Sequence, residues 1–99
     1  MTHHQHHQLR NKYLNLLESA LVGSLYGDPP IDDWSGGKYD PNVRTLGRDW
    51  PALAHTMIGT IRMRNLRWLC ETAILDDVPG DFVETGVWRG GLYLYAWHT

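Results

Sequence analysis

The chain has one cysteine, one phenylalanine and no long apolar run in its 99 residues. With a single thiol, Cys70, no internal disulfide can form, and the place of Cys70 in an apolar helical stripe reads as a small core residue. No stretch approaches the roughly 20 apolar residues that a membrane span requires. The N-terminus carries His and Gln where a secretory signal has a basic start and an apolar centre, so the expected location is cytoplasmic. An excess of one charge is also missing. Nine Lys and Arg stand against eleven Asp and Glu, a formal charge of −2, which leaves no basic face for a nucleic-acid backbone and no charged tail. Five Trp and five Tyr are plentiful by contrast, and each has a polar end that needs a partner when buried. A mean hydropathy of −0.40 in so short a chain implies a water-compatible molecule with a modest core.

Three regions are expected. Residues 1–8, M-T-H-H-Q-H-H-Q, read as a disordered His-rich terminus; clustered His can bind a transition metal, but a folded site needs ligands held from a defined backbone. Residues 9–47 open with a helix, because Leu9, Tyr13, Leu16, Leu17, Ala20 and Leu21 recur at helical spacing. Gly27-Asp28-Pro29-Pro30 stops it. A lid-like loop of about 20 residues follows, rich in Pro, Gly, Asp and Asn and without periodicity. Residues 48–99 resume with Asp49 as a plausible N-cap and Pro51 in the first turn. Ala52, Ala54, Met57, Ile58 and Ile61, then Leu66, Leu69, Cys70, Ala73 and Ile74, share a face, with Gly59 kinking or dividing the run and Arg62, Arg64, Arg67 and Glu71 mostly on the opposite, solvated side.

After Asp76-Asp77-Val78-Pro79-Gly80 comes a short apolar strand, Asp81-Phe82-Val83-Glu84-Thr85, running into Gly86-Val87-Trp88-Arg89-Gly90-Gly91. The expected fold class is α/β: N-terminal helices plus the first strand and cofactor loop of a Rossmann-like domain, truncated. A glycine loop between strand and helix lets backbone approach a ligand and offers amides to an anion. The spacing is G-x-x-x-G-G, which departs from the G-x-G-x-x-G of dinucleotide enzymes. A methyltransferase uses such a loop for the carboxylate of its cofactor's methionine part, with an acidic residue ahead of the first glycine, here Glu84, accepting from the ammonium group. The same turn also serves as a purely structural device.

Longer stretches narrow the reading. Y-L-N-L-L-E-S-A-L-x-G-x-L-Y-x-D-P-P at Tyr13 to Pro30, G-R-D-W-P-x-x-A-H-T-M-I-G at Gly47 to Gly59 and V-P-G-D-F-V-E-T-G-V-W-R-G-G at Val78 to Gly91 together resemble the macrocin O-methyltransferase family. Its members are S-adenosylmethionine- and magnesium-dependent enzymes that methylate sugar hydroxyls of macrolide and related natural products. The resemblance implies cofactor contacts at Thr56, Met57, Glu84, Thr85, Gly86, Val87, Trp88 and Arg89, and the start of a mobile segment at Tyr26 and Asp28-Pro29-Pro30. The bland alternatives are that Met57 is core, that Trp88 packs beneath the loop and that His55 is a hydrogen-bonded structural residue. The acidic magnesium ligands and the catalytic base implied by the resemblance would come from sequence further along, so no catalytic and no metal-binding residue is assigned to this chain. The pairs Asp32-Asp33 and Asp76-Asp77 read as solvated caps and turns.

The resemblance ends at Gly91. The helix it implies would continue with small and aliphatic residues, something like A-C-I-F-M-R, whereas the chain reads Leu92-Tyr93-Leu94-Tyr95-Ala96-Trp97-His98-Thr99. One choice of codons for these residues yields A-C-I-F-M-R-G-I in a neighbouring frame, so the chain is expected to be a frameshifted or prematurely ended reading of a longer methyltransferase gene. The alternative is a natural short protein in which Leu92 to Trp97 packs as a helix or an apolar tail. An open parallel sheet binds its ligand across the ends of several strands, and one strand cannot complete that site. The parent is expected to be an enzyme and this chain inactive alone. It would otherwise be a gene remnant or a non-catalytic module, pairing through its amphipathic first helix with other copies or an intact homologue.

Overall fold

The computed structural model describes residues 2–99. Four helices follow one another: α1 His3–Val22, α2 Pro41–Leu46, α3 Gly59–Leu75 and α4 Gly91–His98. Among the described residues no strand forms, which corrects the α/β expectation. Residues 81–85, expected as the first strand, have no regular structure, and Val83 is 86% exposed. A strand needs a hydrogen-bonded neighbour, and nothing in the described backbone offers one to this segment. The β-pairing that does occur is an isolated antiparallel bridge between Pro30 and Pro51. There the Ile31 amide donates to the Trp50 carbonyl at 2.7 Å and the Ala52 amide to the Pro29 carbonyl at 3.0 Å.

α1 starts well before the expected Leu9. The Thr2 side chain accepts from the Gln5 amide and the Gln5 side chain accepts from the Thr2 amide. This reciprocal capping box carries the His-rich segment, expected to be disordered, into helix; Met1 lies outside the described residues. The buried side of α1 is also rotated from the expected stripe. Leu14, Glu18, Leu21 and Val22 are buried, while Leu9, Tyr13 and Leu16 stay about half exposed. The helix has apolar residues on more than one side, so its neighbours choose the face. Leu14, Leu21 and Val22 pack with Met63 of α3 and Tyr95 of α4, flanked by Leu17, Ile58, Leu66 and Leu92. Leu92 to Trp97 therefore packs as a helix, and Tyr95 is fully buried. Polar bridges brace α1 against α3. Arg67 donates to Asn11, Asn15 and Glu71, Arg10 pairs with Glu71 at 3.2 Å, and Arg64 with the buried Glu18 at 3.3 Å.

The segment between α2 and α3 is not the helix its spacing suggested. Asp49 does not cap a helix; its carboxylate is buried against Nε of Arg44 at 2.8 and 3.1 Å. Arg44 also donates to the carbonyls of Val22 at 3.0 Å and Asp28 at 2.6 Å, and both residues of the ion pair are almost wholly buried. The fully buried Asp28 carboxylate accepts from the amides of Leu53 and Ala54, each at 2.9 Å from Oδ2. The chain can turn here because Gly47 and Gly59 cross at backbone contact. Both lie in the left-handed region, with φ of 69° and 82°. A Cβ on Gly47 would strike the carbonyl of Ile58, and one on Gly59 would lie 2.5 Å from the carbonyl oxygen of Arg44. Of the two expectations for Gly59, it divides the run and opens α3, and it does not kink a longer helix.

Asp32 organises the loop before α2. Its carboxylate accepts from the amides of Trp34, Ser35 and Trp50 and from the Ser35 hydroxyl, at 2.6 to 3.1 Å. Desolvation pushes its carboxyl up, but the hydrogen bonds outweigh that and hold it below the usual carboxylate range. Trp34 and Trp50 meet edge to face at 5.0 Å beside it.

Two outcomes are expected. Replacing Arg44 with Met strands the Asp49 charge and two carbonyls, and chemical denaturation should show a loss of about 3–5 kcal/mol; a loss below about 0.5 kcal/mol, typical of a surface change, contradicts the assignment. For Asp32, a depressed folded value means that its stabilisation is present above the unfolded value of about 3.9 and is lost as pH falls through the folded one. Tryptophan emission should therefore shift on acidification below about pH 4. The Asp32→Asn variant should lack this component, and superimposable acid titrations of the two proteins rule the mechanism out.

Candidate functional site

The carboxyl end of α1 fixes one wall of the site. The carbonyl of Leu21 accepts from the amides of His55 at 3.0 Å and Thr56 at 3.2 Å. This locks the stretch ahead of Met57 against α1, and it is the backbone of His55, not its exposed imidazole, that does so. The His55 carbonyl in turn accepts from the Gly91 amide at 2.8 Å. A Cβ on Gly91 would stand 2.5 Å from that carbonyl oxygen, so only glycine permits the approach.

The opposite wall is the glycine loop. The Gly90 amide closes it on the Val87 carbonyl at 3.0 Å. Trp88 sits at φ 50°, a left-handed conformation that a bulky residue adopts only when its surroundings hold it there. Arg89 does the holding. Its guanidinium lies 4.1 Å from the Trp88 ring centroid, and Nη1 is 2.9 Å from each of the Ala52 and Ala54 carbonyl oxygens.

Between the walls lies a cavity of about 360 Å³, with Thr56 and Met57 on one side and Glu84, Thr85, Gly86, Val87 and Trp88 on the other. Seven candidates from the sequence therefore line one hollow of ligand size. Arg89, the remaining candidate, does not line it; its guanidinium donates to the carbonyls of Pro51, Ala52 and Ala54. Gly47, Ile58, Arg62 and Leu92 complete the lining and were not anticipated. For Arg62 the available signal was its closeness in sequence to Met57, in the first turn of α3, which periodicity had assigned to solvent.

Two features give the cavity chemical character. Oε1 of Glu84 is buried and has no hydrogen-bond partner, a condition that costs free energy until a donor arrives. Nothing stands within 4 Å of where a Gly86 side chain would begin, so the backbone there is open to close approach. Among the described residues no group of three or more His, Cys, Asp or Glu could hold a metal ion. No described helix is long and apolar enough to cross a membrane.

Known proteins resemble this chain in sequence and in fold. The family model described as macrocin-O-methyltransferase (TylF) matches residues 29–97. The 8-demethyl-8-(2,3-dimethoxy-alpha-L-rhamnosyl)-tetracenomycin-C 4'-O-methyltransferase of Streptomyces olivaceus is 48% identical over 87 residues, which is 87% of this chain and 33% of that protein. The demethyldecarbamoylnovobiocin O-methyltransferase of Streptomyces niveus is 51% identical over 82 residues, 80% of this chain and 31% of the relative. A solved structure, the O-methyltransferase NovP, superposes with a TM-score of 0.82 at 46% identity, covering 90% of this chain and 35% of that one. The chain thus spans about a third of the length of the relatives it matches. By sequence and by fold alike, the chain belongs to the macrocin-O-methyltransferase (TylF) family.

Proposed function

We propose that this chain is the N-terminal, cofactor-facing portion of an S-adenosylmethionine-dependent O-methyltransferase acting on a sugar hydroxyl of a natural product, and that alone it transfers no methyl group. The observation that carries this reading is the buried, unpartnered Oε1 of Glu84 beside a cavity that the glycine loop shares with Thr56 and Met57. The residues fit the amino-acid end of the cofactor. Glu84 would accept from an ammonium group, which brings three donors, and Gly86 would let a ligand lie directly on backbone. Met57 and Leu92 would give an apolar bed to the sulfur-bearing part. When bound, the cofactor supplies an electrophilic methyl group. Glu84 and the loop would hold it in one orientation, so that the acceptor hydroxyl meets the methyl in line. The described residues offer no ligand set for magnesium, and no step is assigned to a metal.

This is one side of a site. The relatives carry about twice as much further sequence, and the groups that bind the acceptor and take its proton are assigned to that part. A second reading, a non-catalytic helical module, rests on the apolar side chains left exposed on α1 and α3, Leu16, Trp68 and Leu75 among them. Sedimentation separates the two, since a module that pairs through these faces self-associates and a cofactor half-site need not.

Fusion tests the main reading. Residues 1–91 are joined to the portion of the Streptomyces niveus relative that follows its matching segment, and transfer from S-adenosylmethionine to that relative's own acceptor is assayed. The chimaera should turn over and the isolated chain should not. In the chimaera, Glu84→Gln should raise the cofactor KM by about tenfold or more with a smaller change in kcat, the cost of one charge-assisted hydrogen bond. Turnover by the isolated chain, or a folded chimaera whose cofactor KM ignores residue 84, refutes the proposal.

A further inference from the structure

Two charged residues that make no ion pair among the described residues face the same cavity. Of the three glutamates, Glu18 is matched with Arg64 and Glu71 with Arg10 and Arg67. Of the three arginines of α3, Arg64 and Arg67 are spent in those pairs. Glu84 and Arg62 are left over. Both line the cavity beneath the glycine loop, and among the described residues neither has an ion-pair or side-chain hydrogen-bond partner. Nor do they pair with each other across it. A carboxylate and a guanidinium that share a hollow without meeting leave room for a ligand bearing both complementary charges.

We infer that Arg62 and Glu84 are the two poles of a receptor for an α-amino-acid zwitterion, with Arg62 the anchor for the ligand's carboxylate. The inference deepens the reading above and rests on it for the identity of the ligand. The guanidinium is planar and presents paired N–H groups that match a carboxylate in two-pronged fashion. Glu84 answers the ammonium group, and the apolar wall of Met57, Ile58 and Leu92 between them suits a thioether chain. Glycine-loop amides alone would hold the anion with little geometric preference; Arg62 adds a fixed direction. Arg89, the other cation of this region, is not available for the task, because its guanidinium is committed to the carbonyls of Pro51, Ala52 and Ala54.

The test uses the full 99-residue chain and small probes, followed by NMR shifts of the Arg62 side chain and the loop amides. L-methionine carries both charges, 3-methylthiopropylamine lacks the carboxylate, and 4-methylthiobutanoate lacks the ammonium group. Methionine should bind best, with each deletion weakening binding by about tenfold. Arg62→Met should abolish the preference for methionine over 3-methylthiopropylamine and keep that over 4-methylthiobutanoate. Glu84→Gln should do the reverse, and Arg62→Lys should restore part of the carboxylate preference. Circular dichroism of each variant should be unchanged, since Arg62 is exposed. If Arg62→Met leaves the carboxylate preference intact, or if methionine causes no shift at residues 62 and 84 up to its solubility limit, the inference is wrong and Arg62 is a solvated surface cation. Failure of the broader reading looks different: the chimaera described above stays inert although the zwitterion preference and its dependence on Arg62 are observed.

Discussion

One buried guanidinium organises the polar half of this fold. Arg44 joins the end of α1, through the Val22 carbonyl, to the loop that follows, through the Asp28 carbonyl, and to the approach to α3, through Asp49. A buried ion pair is weak evidence of net stability, because desolving both charges offsets most of their attraction. Its stronger effect is on uniqueness. An alternative packing that separated Arg44 from Asp49 would leave two charges and two carbonyls unsatisfied in the interior, so competing arrangements of these segments are heavily disfavoured.

That constraint propagates to the candidate site in a short relay. Asp28, held by Arg44 through its carbonyl, uses its carboxylate to fix the amides of Leu53 and Ala54. The next residues, His55 and Thr56, bond to the last turns of α1, and His55 receives the Gly91 amide. The carbonyl of Ala52, in one peptide unit with the Leu53 amide, and that of Ala54, in one unit with the His55 amide, receive Arg89. Both walls of the cavity therefore depend on backbone that Asp28 and Arg44 set, although neither residue lines it. The crossing of Gly47 and Gly59 makes the relay sterically possible, since a side chain at either would drive α2 from the start of α3.

How much of this could be read in the sequence follows from the range of each interaction. The glycine loop and the family motifs are local patterns, and the residues singled out there do converge on one cavity, Arg89 excepted. The Gly47 to Gly59 motif was visible as a stretch of sequence; that its two end glycines touch was not. Asp49 looked like a helix cap because caps are the commonest local use of an aspartate before proline, yet its true partner, Arg44, lies in α2 and is set by tertiary packing. The face of α1 was misjudged for a related reason. Leu9, Tyr13 and Leu16 satisfy helical spacing as well as Leu14 and Leu21 do, and only the positions of Met63 and Tyr95 decide between them. The strand at 81–85 failed most plainly, since strand formation depends on a neighbour that local sequence cannot supply.

A strained residue and a buried unpartnered oxygen meet in the glycine loop. Trp88 is held in a left-handed conformation, which costs on the order of 1–3 kcal/mol, and Glu84 keeps a buried oxygen without a donor. Both belong to the loop that Arg89 pins against the 51–54 backbone. Asp32, with four donors, and Asp28, with two, are met by local partners, whereas Oε1 of Glu18 and the Tyr95 hydroxyl are buried without one in the helical core. What sets Glu84 apart is its place on a cavity wall, where a ligand can bring the missing donor. A cationic donor reaching Glu84 would relieve the buried oxygen without moving the backbone, so ligand affinity at this loop draws on a cost already met in the fold.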